Sequence, residues 1–127
     1  MIFRIDFNSD EAIYIQLRNQ IINCIAMEEI RDGDILPSVR QLADTVGINM
    51  HTVNKAYAVL REEGFIRLDK RRGAVIEVDM NKLRAVQELS DDLRLIVARA
   101  LCKNLNPDGI HKILDEIIYE YTGGNEG

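Results

Sequence analysis

From Glu11 to about Glu28 the apolar residues Tyr14, Leu17, Ile21, Cys24 and Ile25 recur at steps of three and four, which predicts a helix with one inward face. Asp32-Gly33 marks a turn, and a short extended piece, Ile35-Leu36-Pro37, follows it. Ser38 and Gln41 have the spacing of a capping box: the serine hydroxyl accepts from the amide three residues on, and the glutamine reaches back. The short helix this opens turns Val39, Leu42, Ala43 and Val46 inward and stops at Gly47 as a left-handed C-cap. Asn49 caps a third helix with the inward stripe Val53, Ala56, Tyr57 and Leu60, which ends at Gly64. The period then changes. Phe65-Ile66-Arg67-Leu68, a basic turn from Asp69 to Gly73, and Ala74-Val75-Ile76-Glu77-Val78 read as a hairpin of two strands.

From Asp79 onward there is no strand signal. Two long helical patterns are separated by Asn104 to Pro107, with Asn106 as cap and Pro107 at the first helical position. In the first, Leu83, Val86, Leu93, Ile96, Val97, Ala100 and Leu101 share a face; in the second, Ile110, Ile113, Leu114, Ile117, Ile118 and Tyr121 form an unbroken seam. Residues 123–127, GGNEG, read as a frayed end. The expected fold is mainly α with a small β-hairpin: an N-terminal winged helix-turn-helix over residues 1–78, followed by a two-helix C-terminal segment over 79–127. There are no internal repeats and no low-complexity tract.

Composition narrows the class. With 127 residues, 46% hydrophobic and 29% charged, the chain is globular and too apolar to stay disordered, and it has no room for a second full domain. Its apolar runs fall far short of the roughly 18 residues that span a bilayer. Its first residues, MIFRIDFNSDE, carry acids where a signal peptide needs basic residues and then an apolar block. A soluble, cytoplasmic protein with no membrane partner is expected. Cys24 and Cys102 lie far from each other and from both histidines, which predicts neither a disulfide framework nor a metal site but two small buried apolar residues.

The net charge of −5 argues mildly against a nucleic-acid partner, yet its distribution points the other way. Residues 36–76 hold seven basic side chains (Arg40, Lys55, Arg61, Arg67, Lys70, Arg71, Arg72) against four acidic ones (Asp44, Glu62, Glu63, Asp69), a local +3 that leaves −8 for the rest. In the same unit two short helices joined by Gly47-Ile48-Asn49 have the apolar pattern of a helix-turn-helix. An unrelated αα-hairpin shares that spacing, but the hairpin with a basic tip directly after it is the winged form of the motif. Since Val53, Ala56, Tyr57 and Leu60 are committed inward, Met50, His51, Asn54, Lys55 and Ala58 must face out. In a recognition helix an amide such as Asn54 pairs with adenine, His51 donates or accepts, and Met50 packs on a thymine methyl. Lys55, Ser38 and Thr52 suit phosphate oxygens, and Arg40 reaches a phosphate or a guanine.

Gly33-Asp34-Ile35-Leu36-Pro37-Ser38-Val39-Arg40-Gln41-Leu42-Ala43, then Val46-Gly47-Ile48-Asn49, Thr52-Val53, Lys55-Ala56-Tyr57, Leu60 and Gly64-Phe65-Ile66 closely resemble the GntR family of bacterial transcription regulators. The resemblance runs from about Ile2 to Val78. The opening FRID with IYIQL is similar to the YtrA-type subgroup, in which about fifty residues follow the winged helix, as 49 follow Val78 here. The resemblance implies DNA contacts at Ser38, Arg40, Asn49, His51, Thr52 and Lys55, with the wing tip, Lys70 to Gly73, entering the minor groove. Two departures stand out. The usual Gly-x-Gly tip is Arg71-Arg72-Gly73 with Val75 in place of the following aromatic, and Ala12 stands where the subgroup often has proline.

The C-terminal segment is too small for a core of its own, so its apolar faces must meet something. One reading packs both helices back onto the winged helix. The favoured one is a homodimer through Leu83, Val86, Leu93, Ile96, Val97, Leu101, Ile110, Ile113, Leu114, Ile117, Ile118 and Tyr121, whose two-fold symmetry suits a palindromic operator; the resemblance implies the same arrangement. Catalysis has no support: no triad, metal constellation or Gly-rich phosphate loop is spaced to work, so no cofactor is expected. The leading expectation is a sequence-specific DNA-binding repressor. A protein-interaction module, and a metabolite sensor with its ligand between the C-terminal helices, are the alternatives; the identity of any effector is not legible.

Overall fold

The computed structural model describes residues 2–124. It contains α1 (Ile13–Ala26), α2 (Val39–Val46), α3 (Met50–Glu62), β1 (Ile66–Asp69), β2 (Gly73–Ile76), α4 (Lys82–Cys102) and α5 (Pro107–Thr122). The chain divides into two compact units, Met1–Asp79 and Met80–Gly127. None of the helices among the described residues is long and apolar enough to cross a membrane.

The first unit is a three-helix core carrying a hairpin. Leu17 and Ile21 of α1, Leu42 of α2, and Val53, Ala56 and Leu60 of α3 are almost wholly excluded from solvent, and Leu36, Ile66 and Ile76 close the cluster from the sheet side. A side chain of that size contributes about 1.5–3 kcal/mol when fully buried. β1 and β2 pair antiparallel in the register Ile66↔Ile76, Arg67↔Val75, Leu68↔Ala74 and Asp69↔Gly73. The strands thus start and stop one or two residues from the expected limits: the turn residues Asp69 and Gly73 are paired, while Phe65 and Val78 fall outside. The free edge of β2 is occupied as well. Ile35 bridges Val75, the Gly33 and Leu36 amides donate to the carbonyls of Ile76 and Ala74 (both 2.8 Å), and the Ile76 amide donates to that of Asp34 (2.8 Å). The extended piece before α2 is therefore a third, short strand in all but length, and it ties the wing to the helix-turn-helix.

One buried polar residue organises the N-terminal segment. Gln16, 7% exposed, donates from Nε2 to the carbonyls of Asp6 and Glu11 (3.0 Å each) and accepts the Asp6 amide at 2.8 Å. One turn on, Gln20 repeats the clamp on Arg4, accepting its amide at 2.8 Å and donating to its carbonyl at 2.6 Å. These side chains stand in for a missing strand partner, so the segment's backbone groups are satisfied. Periodicity alone places Gln16 among polar, outward positions, which is why the inward stripe omits it.

In the second unit, α4 ends before the expected break at Asn104 and α5 opens at Pro107 as expected, with Asn106 accepting the Asp108 amide. Gly123 is the left-handed C-cap of α5, so part of the expected frayed end is a defined helix stop; residues 125–127 lie outside the described residues. Neither helix buries a residue. The expectation for the cysteines holds for Cys24, which is buried and whose thiol pKa is raised chiefly by that burial, and fails for Cys102, which is exposed. Cys102 follows Leu101 at the end of α4 and falls outside the apolar stripe that faces α5.

Ala12, at the N-cap of α1, has φ −56 and ψ 141, and its side chain makes no cap hydrogen bond. Proline fits that φ, and a fixed φ lowers the entropy of the unfolded chain. Ala12→Pro is expected to raise stability by about 0.4–1 kcal/mol, read as a higher midpoint in urea unfolding followed by circular dichroism.

Candidate nucleic-acid interface

The helix-turn-helix is set by its caps. Ser38 Oγ accepts the Gln41 amide (3.1 Å) while Gln41 Oε1 accepts the Ser38 amide (3.0 Å), completing the expected capping box. Gly47 stops α2 at φ +78, a left-handed backbone that a side chain rarely adopts, and its amide closes on the Ala43 carbonyl. Two residues later Asn49 Oδ1 accepts the His51 amide at 2.7 Å and starts α3. A further tie spans the two helices: the Tyr57 hydroxyl donates to the Pro37 carbonyl at 2.7 Å, holding the middle of α3 against the start of α2. Burial pushes the Tyr57 phenol well above its ordinary pKa, so it remains a donor.

With Val53, Ala56, Tyr57 and Leu60 buried, Met50, His51, Asn54, Lys55 and Ala58 are all exposed, as expected from the opposite face. Arg40 is exposed on the first turn of α2 and carries no ion pair or hydrogen bond among the described residues. Thr52 is half-buried. Two candidates are already engaged. The Asn49 carbonyl oxygen is spent on the cap, leaving its NH2 group available, and the Lys55 ammonium lies 4.2 Å from the centroid of the Tyr14 ring, a cation–π contact that draws it toward α1.

The wing is built around Asp69. Its Oδ1 accepts the amides of Arg71 (2.8 Å) and Arg72 (3.0 Å), and its Oδ2 faces Arg67 Nη1 at 3.2 Å. Those two amide bonds, with the Arg67 guanidinium as a further contribution, hold the Asp69 carboxyl below the ordinary carboxylate pKa. Of the four tip candidates, Lys70 and Arg71 are exposed and without an ion pair or side-chain hydrogen bond among the described residues. Arg72 is folded back, donating from Nη2 to the Gly33 carbonyl at 3.0 Å. Gly73 sits at φ +89, and a Cβ there would meet nothing within 4 Å, so its requirement is conformational and not spatial.

Between α3, the wing and the start of α2 runs an open groove of about 620 Å³, lined among others by Ile35, Ser38, Asn54, Arg61, Leu68 and Arg72. It brings Ser38 and Asn54 together and adds Arg61, which the sequence reading counted as charge but not as a contact. Asn54, Ala58 and Arg61 are spaced four and three apart, so helical periodicity extended by one turn would have found it. The exposed Ile35 and Leu68 give the groove apolar walls beside its polar groups. No group of three or more His, Cys, Asp or Glu among the described residues is placed to hold a metal ion.

A winged helix-turn-helix whose second helix is apolar inside and polar outside, with a cationic wing beside it, is the architecture of a DNA-binding transcription regulator. Residues 10–76 match the family described as bacterial regulatory proteins, gntR family, and the chain belongs to that family. It is 29% identical over 126 residues to the HTH-type transcriptional repressor YtrA of Bacillus subtilis, covering 97% of each chain. YtrA from Sulfolobus acidocaldarius is 41% identical with a TM-score of 0.58, over 93% of this chain and 97% of that one. A transcriptional antiterminator from Listeria monocytogenes EGD-e has a TM-score of 0.86 at 27% identity, over 100% and 97% of the two chains. The chain is thus a YtrA-type GntR regulator and not an enzyme.

The Asp69 cap has a signed pH dependence. A carboxyl whose folded pKa is depressed stabilises the fold above its unfolded pKa and loses that contribution as pH falls through the folded value. In a carbon-detected NMR titration Asp69 should therefore titrate below the ordinary aspartate range, and the Arg71 and Arg72 amide resonances should move with it. An ordinary Asp69 midpoint would mean that the cap does not form.

Proposed function

We propose that the chain represses transcription as a homodimer that binds a palindromic operator, with residues 1–78 reading DNA and 79–127 holding the dimer. The observation that carries the first part is the face of α3: Met50, His51 and Asn54 stand exposed at its N-terminal half, beside the unpaired Arg40. Met50, His51 and Asn54 contact base edges in the major groove; Ser38, Arg40, Thr52 and Lys55 hold phosphates; and Lys70 to Gly73 lie at the minor groove. Asn49 serves chiefly as the cap that aims α3. The local +3 of residues 36–76 supplies attraction to DNA within a chain of net charge −5.

The second part rests on the apolar surface of α4 and α5. Leu83, Val86 and Ile96 are 60–70% exposed, and Ile113, Leu114, Ile117 and Ile118 more than 40%. Between the two helices lies an almost entirely apolar groove of about 440 Å³, lined by Leu93, Ile96, Val97, Leu101, Ile110 and Leu114 among others. A patch of this kind is out of place on a monomer in water. A second copy presents the same self-complementary seam, and two copies pair two half-sites, which raises affinity without any new contact.

Fluorescence anisotropy with a labelled duplex from upstream of the chain's own gene, beside a scrambled duplex, tests the reading across salt concentrations. Tight binding of the native duplex alone, falling steeply with salt, is expected, and Arg40→Ala should abolish it with the circular dichroism spectrum unchanged. Salt-independent binding, or no binding at low salt, would instead favour a protein-interaction module. By light scattering the chain should run at twice its own mass, and Ile117→Asp should shift it to the monomer; a wild-type monomer would overturn the dimer.

A further inference from the structure

The family resemblance implies glycine where this wing carries Arg71. Among the described residues the non-glycine positions with positive φ are Glu28 and Asn104, so Arg71 sits in ordinary backbone and the turn does not need glycine there. The reason is the Asp69 side chain: by accepting both the Arg71 and Arg72 amides it closes the tip from inside, work that a glycine-dependent backbone turn would otherwise do. The two arginines this turn presents differ in surroundings. Arg72 is tied to Gly33, 39 residues away, whose own amide donates to the Ile76 carbonyl on β2. Gly33 is thereby held from both sides by the wing. Arg71 is exposed, and its guanidinium makes no contact of that kind among the described residues.

We propose that the two tip arginines have divided roles: Arg71 is the wing's specificity-determining side chain, inserted into an A·T-rich minor groove, while Arg72 is a positioning residue that locks the wing onto the loop before α2. The proposal rests on the chain being a DNA-binding regulator. A·T-rich tracts have a narrow minor groove with enhanced negative potential, which attracts a single inserted arginine. Arg72, spent on a carbonyl of its own chain, adds stiffness: it keeps the tip at a fixed distance from α3, so that wing and helix meet adjacent grooves in one register. Asp69 positions Arg71 through the backbone.

The test begins with duplexes selected by the full-length wild-type chain from a random-sequence pool. Failure to enrich any motif would overturn the DNA-binding reading itself. On an enriched duplex, Arg71→Ala should weaken binding at least tenfold, reduce the salt slope by about one unit, and flatten the preference for A·T over G·C pairs flanking the motif. Arg72→Ala should weaken binding with the salt slope and the flanking preference both retained. Wild-type-like binding by Arg71→Ala, or an equal loss of slope in Arg72→Ala, would overturn the division of roles while leaving the DNA-binding reading in place. A measurement on the protein without DNA checks the device. Amide exchange at Arg71 and Arg72 should be slow in the wild type and in Asp69→Asn, which keeps the accepting oxygen, and fast in Asp69→Ala; slow exchange in Asp69→Ala would overturn the role of Asp69.

Discussion

Helix α3 is pinned along its inner face. Val53, Ala56 and Leu60 are wholly buried against α1 and α2, and the Tyr57 hydroxyl holds the Pro37 carbonyl. Because a helix has a fixed 3.6-residue turn, burying that stripe leaves no freedom over which residues face outward. The exposed set at 50, 51, 54 and 55 follows from packing and needs no separate device. A change in the core is felt at once on the outer face, since interiors at crystal-like density transmit small displacements. The Tyr57 contact adds direction to this packing. It joins the start of α2, where Ser38 and Arg40 stand, to the middle of α3, so the candidate phosphate and base contacts share one rigid body.

The wing is attached by the same logic in a different currency. A two-stranded hairpin alone is marginal in water. Here β2 is paired on both edges, by β1 and by the segment 33–36, and Arg72 reaches back to Gly33. The hairpin thus becomes an extension of the helix-turn-helix, and the groove between them has defined walls. The cationic tip can be short because Asp69, a negative charge amid arginines, closes the turn and offsets part of their mutual repulsion.

The two units meet opposite physical demands. The first buries a complete core and exposes polar groups; the second buries none of its described residues and exposes a continuous apolar seam. A helical pair of this size cannot exclude enough surface to satisfy itself, so its stability is inseparable from whatever covers it. In the proposed homodimer, coupling of this sort would tie assembly to DNA binding.

Much of this was legible in the residues. Helical periodicity placed the five helices and the inward stripes, and the cap chemistry of Ser38, Gly47, Asn49 and Asn106 placed their ends, because caps and amphipathic stripes are local and obey fixed spacings. What required the tertiary structure were contacts between residues far apart in sequence and contacts made by polar side chains. Gln16 is buried because it supplies the hydrogen-bond partners of a strandless segment ten residues back, and Lys55 turns to Tyr14 across two helices. Arg72 and Arg71 are identical neighbours in sequence; only the carbonyl of Gly33, 39 residues away, distinguishes them. Cys102 looked like a core residue because its type usually is, yet the stripe on α4 passes it by. Local spacing determines which elements form and which faces they show. The partner of each long polar side chain is decided only when distant segments are brought together, because such a side chain accepts whichever donor or acceptor the fold places within reach.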